Sequence, residues 1–461
     1  MAPYSGISPG GRRRAFKALL GRPPRKRLSY LSDGDLAQVE THELDQSATA
    51  IVHAEAAANR VSRREPSTPA NAEVPFAVEE IFFSRTNEKG HILFVNSVFQ
   101  KISHYSWAEL CRRPHNIIRH PDMPRAVFWL LWDTIEKGEP VGAYVKNMAK
   151  DGRYYWVFAI VTPIEGGYLS VRIKPTSPLL PLIEQEYAAL LAAEKAHRMK
   201  PLESAKILLS RLSELGFPDY GAFMATALSH EIKARDEKLG RTLDKATVHF
   251  EGLAKEAGAL LKYAEGAVAD HTAHRYVPFN LRVHAAQLGE AGVTIGVIAM
   301  NYDALATALE TMMSDFIASA QKLFGAVNKG LCLVGTAKIQ KEASEQFKTE
   351  SLAGGPAPSG EIALLEEQRC SYEARTADGL RAIVSDAQLF EQSCLELKKA
   401  VLALGTTRIM GKMESARLAT TDTGLADLLG DLERYQTSMT EGIQKMLAMS
   451  RCIEHDAGRL L

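Results

Sequence analysis

Cysteine is scarce and scattered in this chain: Cys111, Cys332, Cys370, Cys394 and Cys452 are five in number and form no CxxC pair. An odd, widely spaced set excludes a disulfide framework and a thiolate metal centre, and it fits a reducing compartment. Long apolar runs are missing as well. No stretch approaches the roughly eighteen residues a membrane helix needs, so no membrane anchor and a cytoplasmic protein are expected. Acids are absent from the first thirty residues, which hold eight lysines and arginines between Arg12 and Arg27. Because the formal net charge is zero, the remainder is mildly acidic. The basic run reads as a solvated tail rather than a nucleic-acid contact, and no nucleic-acid partner is assigned. Catalytic signatures are missing too: there is no Walker loop, nucleophile elbow, histidine-kinase box or cyclase motif, and no enzyme is expected.

What is present is a globular composition, 46% hydrophobic and 24% charged over 461 residues, enough for two or three domains. Aromatics are concentrated. All four tryptophans, Trp107, Trp129, Trp132 and Trp156, fall between Glu79 and Lys174. The centre of that stretch reads PHNIIRHPDMP, Pro114 to Pro124, which sets charged and hydrogen-bonding groups between prolines just before an aromatic helix. HILFVNSVF predicts a strand, SHYSWAELCRR short helices, and the run after the motif a helix and then strands with a DG-type hairpin turn at Lys150–Arg153. With GGYLSVRI as the last strand, the order is one strand, helices, then three strands.

This order, with NIIRHPDMP, the helix ending in Trp132, EKGEP, Val145–Asn147 and Tyr154–Trp156, resembles the flavin-binding PAS domain of the Aer-type aerotaxis receptors over about one hundred residues. The resemblance implies a five-stranded antiparallel sheet with flanking helices and bound FAD. Reduced isoalloxazine carries negative charge near N1 and the C2 carbonyl, so cations and donors there raise its potential. By resemblance, Arg119 and His120 take that role, Asp122 orients them or holds the nucleotide part, and Trp132 packs on the ring or its ribityl tail. Asn116 and Asn147 are candidate amide donors. Trp129, one turn before Trp132, reads as core. Where the family has an aromatic after EKGEP, this chain has Val141, which loosens the pocket. No cysteine has the setting of a light-driven adduct, and haem on His115 or His120 is a weaker alternative to FAD. Receptors of this type place a membrane anchor after the sensor, and none is read here.

From Thr176 the chain reads as helix. Connecting helices are expected over 177–222, the one after Pro181 carrying the sensor's output. A helical hairpin follows over 223–348, with a seam at Leu239, Leu243, Ala246, Phe250, Leu253, Ala257, Leu260 and Ala264. Asn280–Ala306, with GEAG at 289–292, resembles a degenerate hairpin tip of methyl-accepting chemotaxis proteins. Its return arm is Ile298, Tyr302, Leu305, Leu309, Met312, Phe316, Ser319 and Leu323. Such tips bind the CheA kinase and CheW adaptor through a Glu and an Arg. Here those positions are His284 and Gln287, which weakens that partnership, and Pro278 invites a kink. After a Gly/Pro linker (349–360) comes a second hairpin, 361–461, with seams Ile383, Ala387, Phe390, Cys394, Leu397, Val401, Leu404 and Leu425, Leu429, Leu432, Met439, Ile443, Met446. The two hairpins have the means to fold into one four-helix bundle, and Glu366 and Glu367 read as solvated helix charges rather than methylation sites. The whole reads as a PAS sensor, residues 76–176 behind a basic disordered tail (1–75), joined to an all-α output region and forming a homodimer through PAS and coiled-coil helices. The rival reading is a scaffold whose PAS domain is a cofactor-free dimerisation module.

Overall fold

The computed structural model describes residues 72–352, 359–417 and 423–461. The basic run near the start, the middle of the Gly/Pro linker (353–358) and Leu418 lie outside the described residues. Ala72 to Pro75, expected in the tail, join the sensor instead: Val74 donates its N–H to Tyr154 O at 2.8 Å and is buried.

Five strands, β1 (Phe82–Asn87), β2 (Ile92–Val95), β3 (Val141–Met148), β4 (Tyr154–Ile164) and β5 (Gly167–Ile173), form one antiparallel sheet in the order β2-β1-β5-β4-β3. The sequence reading missed β1. Its two adjacent phenylalanines, Phe82 and Phe83, break alternation because they point to opposite faces and both are fully buried. A sheet covered on both sides loses the in/out pattern that marks a strand. The β3–β4 hairpin turns at Lys150–Arg153 as expected, with Ala149 N–H donating to Arg153 O at 2.8 Å.

The inner face is covered by α1 (Ser97–Ser103), α2 (Trp107–Leu110), a 3-10 turn (His115–Ile118) and α3 (Arg125–Ile135). Asn96 starts α1: its Oδ1 accepts from Phe99 N–H at 3.1 Å and from Phe83 N–H at 3.0 Å, tying cap to strand. Glu194 caps α3, accepting from Arg125 N–H at 2.8 Å. It comes from α4 (Leu179–His197), which is followed by α5 (Pro201–Glu214) and α6 (Tyr220–Lys238).

Four longer helices, α7 (Lys245–His274), α9 (Val293–Leu352), α10 (Ser359–Arg417) and α11 (Thr423–Gly458), pack in a ring as a four-helix bundle. Short α8 (Val277–Gln287) and the Gly289–Gly292 turn reverse the chain between α7 and α9, Gly289 taking a φ of 58° that suits glycine. In the second hairpin every expected seam residue is buried. The first hairpin departs at both ends. Leu239 and Leu243 leave the seam because Asp244 caps α7 through Thr247 N–H at 2.9 Å, and Leu243 is exposed. On α9, Met313 and Ala320 are buried where Met312 and Ser319 were expected, the drift that 3.6 residues per turn imposes on a strict heptad.

Contrary to the reading of apolar runs, α9 lies in a segment, Gly289–Thr349, long and apolar enough by length and composition to cross a membrane. Its neighbours account for that composition: it packs against α6, α7 and α10 and touches β5, and a helix covered on several sides is apolar on several sides. Two of its lysines are paired with acids of other elements, Lys322 with Asp386 at 2.8 Å and Lys329 with Glu139 at 2.8 Å.

Phe390 of α10 meets Phe316 of α9 at 5.1 Å between ring centroids. Phe390→Ala is expected to destabilise the bundle by about 3–5 kcal/mol, and Leu243→Ala to change it by less than about 0.5 kcal/mol. Urea unfolding followed by far-ultraviolet circular dichroism checks both. Equal losses would restore Leu243 to the seam.

Candidate functional site

The Arg119–Met123 loop lies against the end of β3. A backbone bridge joins Arg119 to Asn147, and His120 N–H donates to Lys146 O at 3.3 Å. Arg119 stacks its guanidinium 3.5 Å above the Phe128 ring of α3. Asn147 points to the inner face, is 3% exposed, and its Nδ2 has no hydrogen-bond partner among the described residues. Asn116 sits half-buried on the 3-10 turn, where its carbonyl accepts from Arg119 N–H at 2.9 Å.

Two predicted residues fall elsewhere. Asp122 turns outward, its side chain half exposed and paired with Lys146 Nζ at 3.1 Å. Its N–H donates to His120 Nδ1 at 3.1 Å and its Oδ2 lies 3.5 Å from the same nitrogen, so Asp122 meets the imidazole from the surface side. Trp132 packs edge-on against Tyr168 at 5.4 Å. The register pairs Tyr168 with Pro163 and Asn147 with Tyr155, eight residues apart on β4, on the order of 25 Å. The structure therefore brings Arg119, His120 and Asn147 together and sets Trp132 at the far end of the sheet. Val141 is buried and, by alternation, lines the same inner face as Asn147.

The sequence reading missed the group with the largest electrostatic consequence. Arg172 of β5 is 5% exposed and faces inward, donating to His115 Nε2 at 2.8 Å and Ser84 Oγ at 3.1 Å. Among the described residues no carboxylate pairs with it. Burial lowers it to about 10, and a cation kept in an apolar interior requires compensation. The Tyr155 hydroxyl and Ser170 Oγ, also inward by register, are buried without hydrogen-bond partners among the described residues. The signal was an arginine between Val171 and Ile173 in a strand otherwise apolar at its end.

His115 is held well below its ordinary value by burial first, then by Arg172 and Arg119. Neutral, it accepts at Nε2 and carries its proton at Nδ1. The lone pair a haem iron would require is thus taken by Arg172. His120 is lowered to about 4, by burial and then Lys146, with Asp122 opposing. An interior lined by one cation and several unpartnered donors fits an acceptor-rich, electron-rich ligand, and the carbonyls and ring nitrogens of a flavin are of that kind.

These strands and helices are a PAS domain: residues 92–171 match the family model described as the PAS fold. Within that class the domain is similar to that of an aerotaxis receptor. It is 39% identical over 147 residues to the aerotaxis receptor of Escherichia coli, covering 31% of this chain and 29% of that protein. A second relative is the nitrogen fixation regulatory protein of Klebsiella pneumoniae, 26% identical over 84 residues, 18% of this chain and 17% of that one. This chain spans less than a third of the length of either relative. Among solved structures, a PAS domain from Colwellia psychrerythraea aligns at 19% identity over 20% of this chain and 85% of that one, with a TM-score of 0.18.

Both depressed histidines give the sensor a pH dependence of fixed sign. Below about 6.5 the unfolded chain binds protons that folded His115 and His120 refuse, so stability present above that pH is lost as pH falls toward 4. Between pH 7 and pH 5 a loss of about 2 kcal/mol is expected from His120, with a further loss of the same sign from His115, read by tryptophan fluorescence, which reports on this domain alone. His120→Gln should flatten the slope. An unchanged slope in both His120→Gln and His115→Gln would assign the pH dependence to other groups.

Proposed function

We propose that the chain is a cytoplasmic PAS sensory protein that holds FAD and passes its redox state, set by oxygen or electron transport, to the helical bundle. The observation that carries this reading is Arg172, a buried cation without a carboxylate, beside the unpartnered donors of Asn147, Tyr155 and Ser170. When bound, flavin supplies a reversible redox centre whose reduced form is more negative. Arg172, Arg119 and Asn147 would hold the ring's acceptor edge, and His120 would place its imidazole beside them. Neutral His115 keeps Arg172 turned inward. Trp132 would meet the tail rather than the ring, and Asn116 would support the loop. Asp122 would act from the surface, its carboxylate tying the loop to Lys146 of β3.

The downstream half of the proposal rests on resemblance. A homodimer and a chemotaxis kinase or adaptor are the partners it implies, with His284 half-buried and Gln287 exposed near the tip in place of the family's charges. Those two residues and Val141 favour a second reading, a cofactor-free PAS module in a scaffold protein.

The deciding measurement is the visible absorbance of the purified full chain, with the released chromophore identified. Near-stoichiometric FAD is expected, and Arg172→Met should lower the flavin midpoint potential by about 30–60 mV. Asn147→Leu should reduce FAD retention. A colourless protein that takes up no added FAD would leave the scaffold reading.

A further inference from the structure

β3 is an edge strand, and its unpaired backbone is taken up by two parts of the chain. At one end the cofactor loop holds it: His120 N–H donates to Lys146 O at 3.3 Å, and Lys146 N–H meets Met123 Sδ at 3.1 Å. At the other end α6 holds it. The Tyr220 hydroxyl donates to Gly142 O at 2.9 Å, and Gly142 N–H meets Met224 Sδ at 3.3 Å. A side chain at position 142 would put its Cβ 2.9 Å from Phe158 and 3.7 Å from Met224, so the close fit depends on glycine.

Between these ends, Tyr144 projects from the outer face and donates to Glu231 of α6 at 2.7 Å. Glu231 is fully buried and also accepts from Ser177 Oγ at 2.6 Å and from the N–H groups of Thr176 at 2.5 Å and Ser177 at 3.0 Å. Four neutral donors from β3 and from the segment after β5 therefore converge on one carboxylate. Among the described residues no cation pairs with it. A buried carboxylate held only by neutral donors is sensitive to the loss of any one.

The adjoining strip of the same helix lies against the bundle. Leu228 and Ile232 press on α9 at Gly335, where an added Cβ would fall 2.8 Å from Leu228 and 3.1 Å from Ile232. One turn further, Arg235 pairs with Glu342 at 3.0 Å, and Asp236 pairs with Lys338. α4, the helix expected to carry the output, makes its inter-element side-chain hydrogen bonds, among the described residues, to the sensor and to α5.

We propose that α6 is the output contact of the sensor: Tyr220, Met224 and Glu231 read the position of β3, and the Leu228–Gly335 crossing passes it to α9. The proposal rests on the flavin reading of the pocket and adds how that site is read out. Asn147, facing the pocket, and Tyr144, facing α6, are three residues apart on one strand, about 10 Å. A change in what Asn147 binds moves an edge strand that the sheet holds on one side alone, and the donors on Glu231 move with it.

The test is hydrogen–deuterium exchange on the full chain, as isolated and after dithionite reduction, in the parent protein and in Glu231→Gln and Tyr220→Phe. In the parent, reduction should change exchange in β3 and in residues 328–345 together. In the variants β3 should still respond while the change in 328–345 falls about fivefold, with the flavin spectrum unaltered. Residues 425–446 serve as the folding control. If reduction changes nothing in the parent, the flavin reading fails, and the proposal is judged without reductant: each variant should then raise exchange in 328–345 by about fivefold over the parent. Variants matching the parent in 328–345 under both comparisons would overturn the relay.

Discussion

Both faces of the PAS sheet are apolar, and that constraint arranges the rest of the molecule. Along β4, Tyr155, Val157 and Ala159 point inward while Trp156, Phe158 and Ile160 point outward, and all six are buried. An antiparallel sheet usually leaves one face to water; here neither face can be left. Short helices and the cofactor loop cover the inner face. The outer face is covered by the output region itself, α6 against β3 and α9 against β1 and β5, with Phe83 meeting Phe347 at 5.0 Å. The sensor is thus built onto the bundle rather than tethered to it. α9, sixty residues long and so about 90 Å, runs from the hairpin tip to the sensor sheet without a break.

The two sides of the sheet differ in how charge is treated. Around the outer contact every cation named has its acid: Arg85 with Glu361 at 2.8 Å, Arg375 with Glu139 at 2.5 Å, Arg235 with Glu342 at 3.0 Å. The partly exposed pairs among these contribute little each, while Arg235 is buried together with its acid. On the inner side Arg172 has a hydroxyl and a neutral imidazole instead. Leaving a buried charge uncompensated is far more costly than breaking a surface pair, and this difference in how charge is met separates the two sides of the sheet.

Much of this was legible in the sequence because periodicity reports on burial. The second hairpin was read correctly down to Cys394 and Met446, since each of its helices has one neighbour-facing seam. In the first hairpin, α9 has neighbours on several sides, so its apolar residues exceed one seam and the heptad reading slipped to Met312 and Ser319. β1 escaped for the same reason. The RHPDMP loop announced itself by its prolines and charges, and Arg119, His120 and Asn147 do converge. Trp132 was grouped with them by motif, but sequence proximity says nothing of which end of the sheet a helix side chain reaches. Arg172 belonged to no motif, and its meaning came only from what surrounds it.

The bundle bears on how the chain meets a second copy of itself. A lone antiparallel hairpin exposes a seam that a partner must cover. Here the second hairpin covers it: Phe316 meets Phe390, and His271 Nδ1 meets the Tyr435 hydroxyl at 2.9 Å, closing α9 on α10 and α7 on α11. The seam residues are buried by their own chain. A homodimer is therefore not needed to complete this core. At the tip, by contrast, Val293, Val297 and Met300 of α9 and Ile409, Met410 and Met413 of α10 are exposed, at the end where Gly411 lies against Ile298. The bundle interior is thus filled from within one chain, and these six apolar side chains at the tip stay outside it.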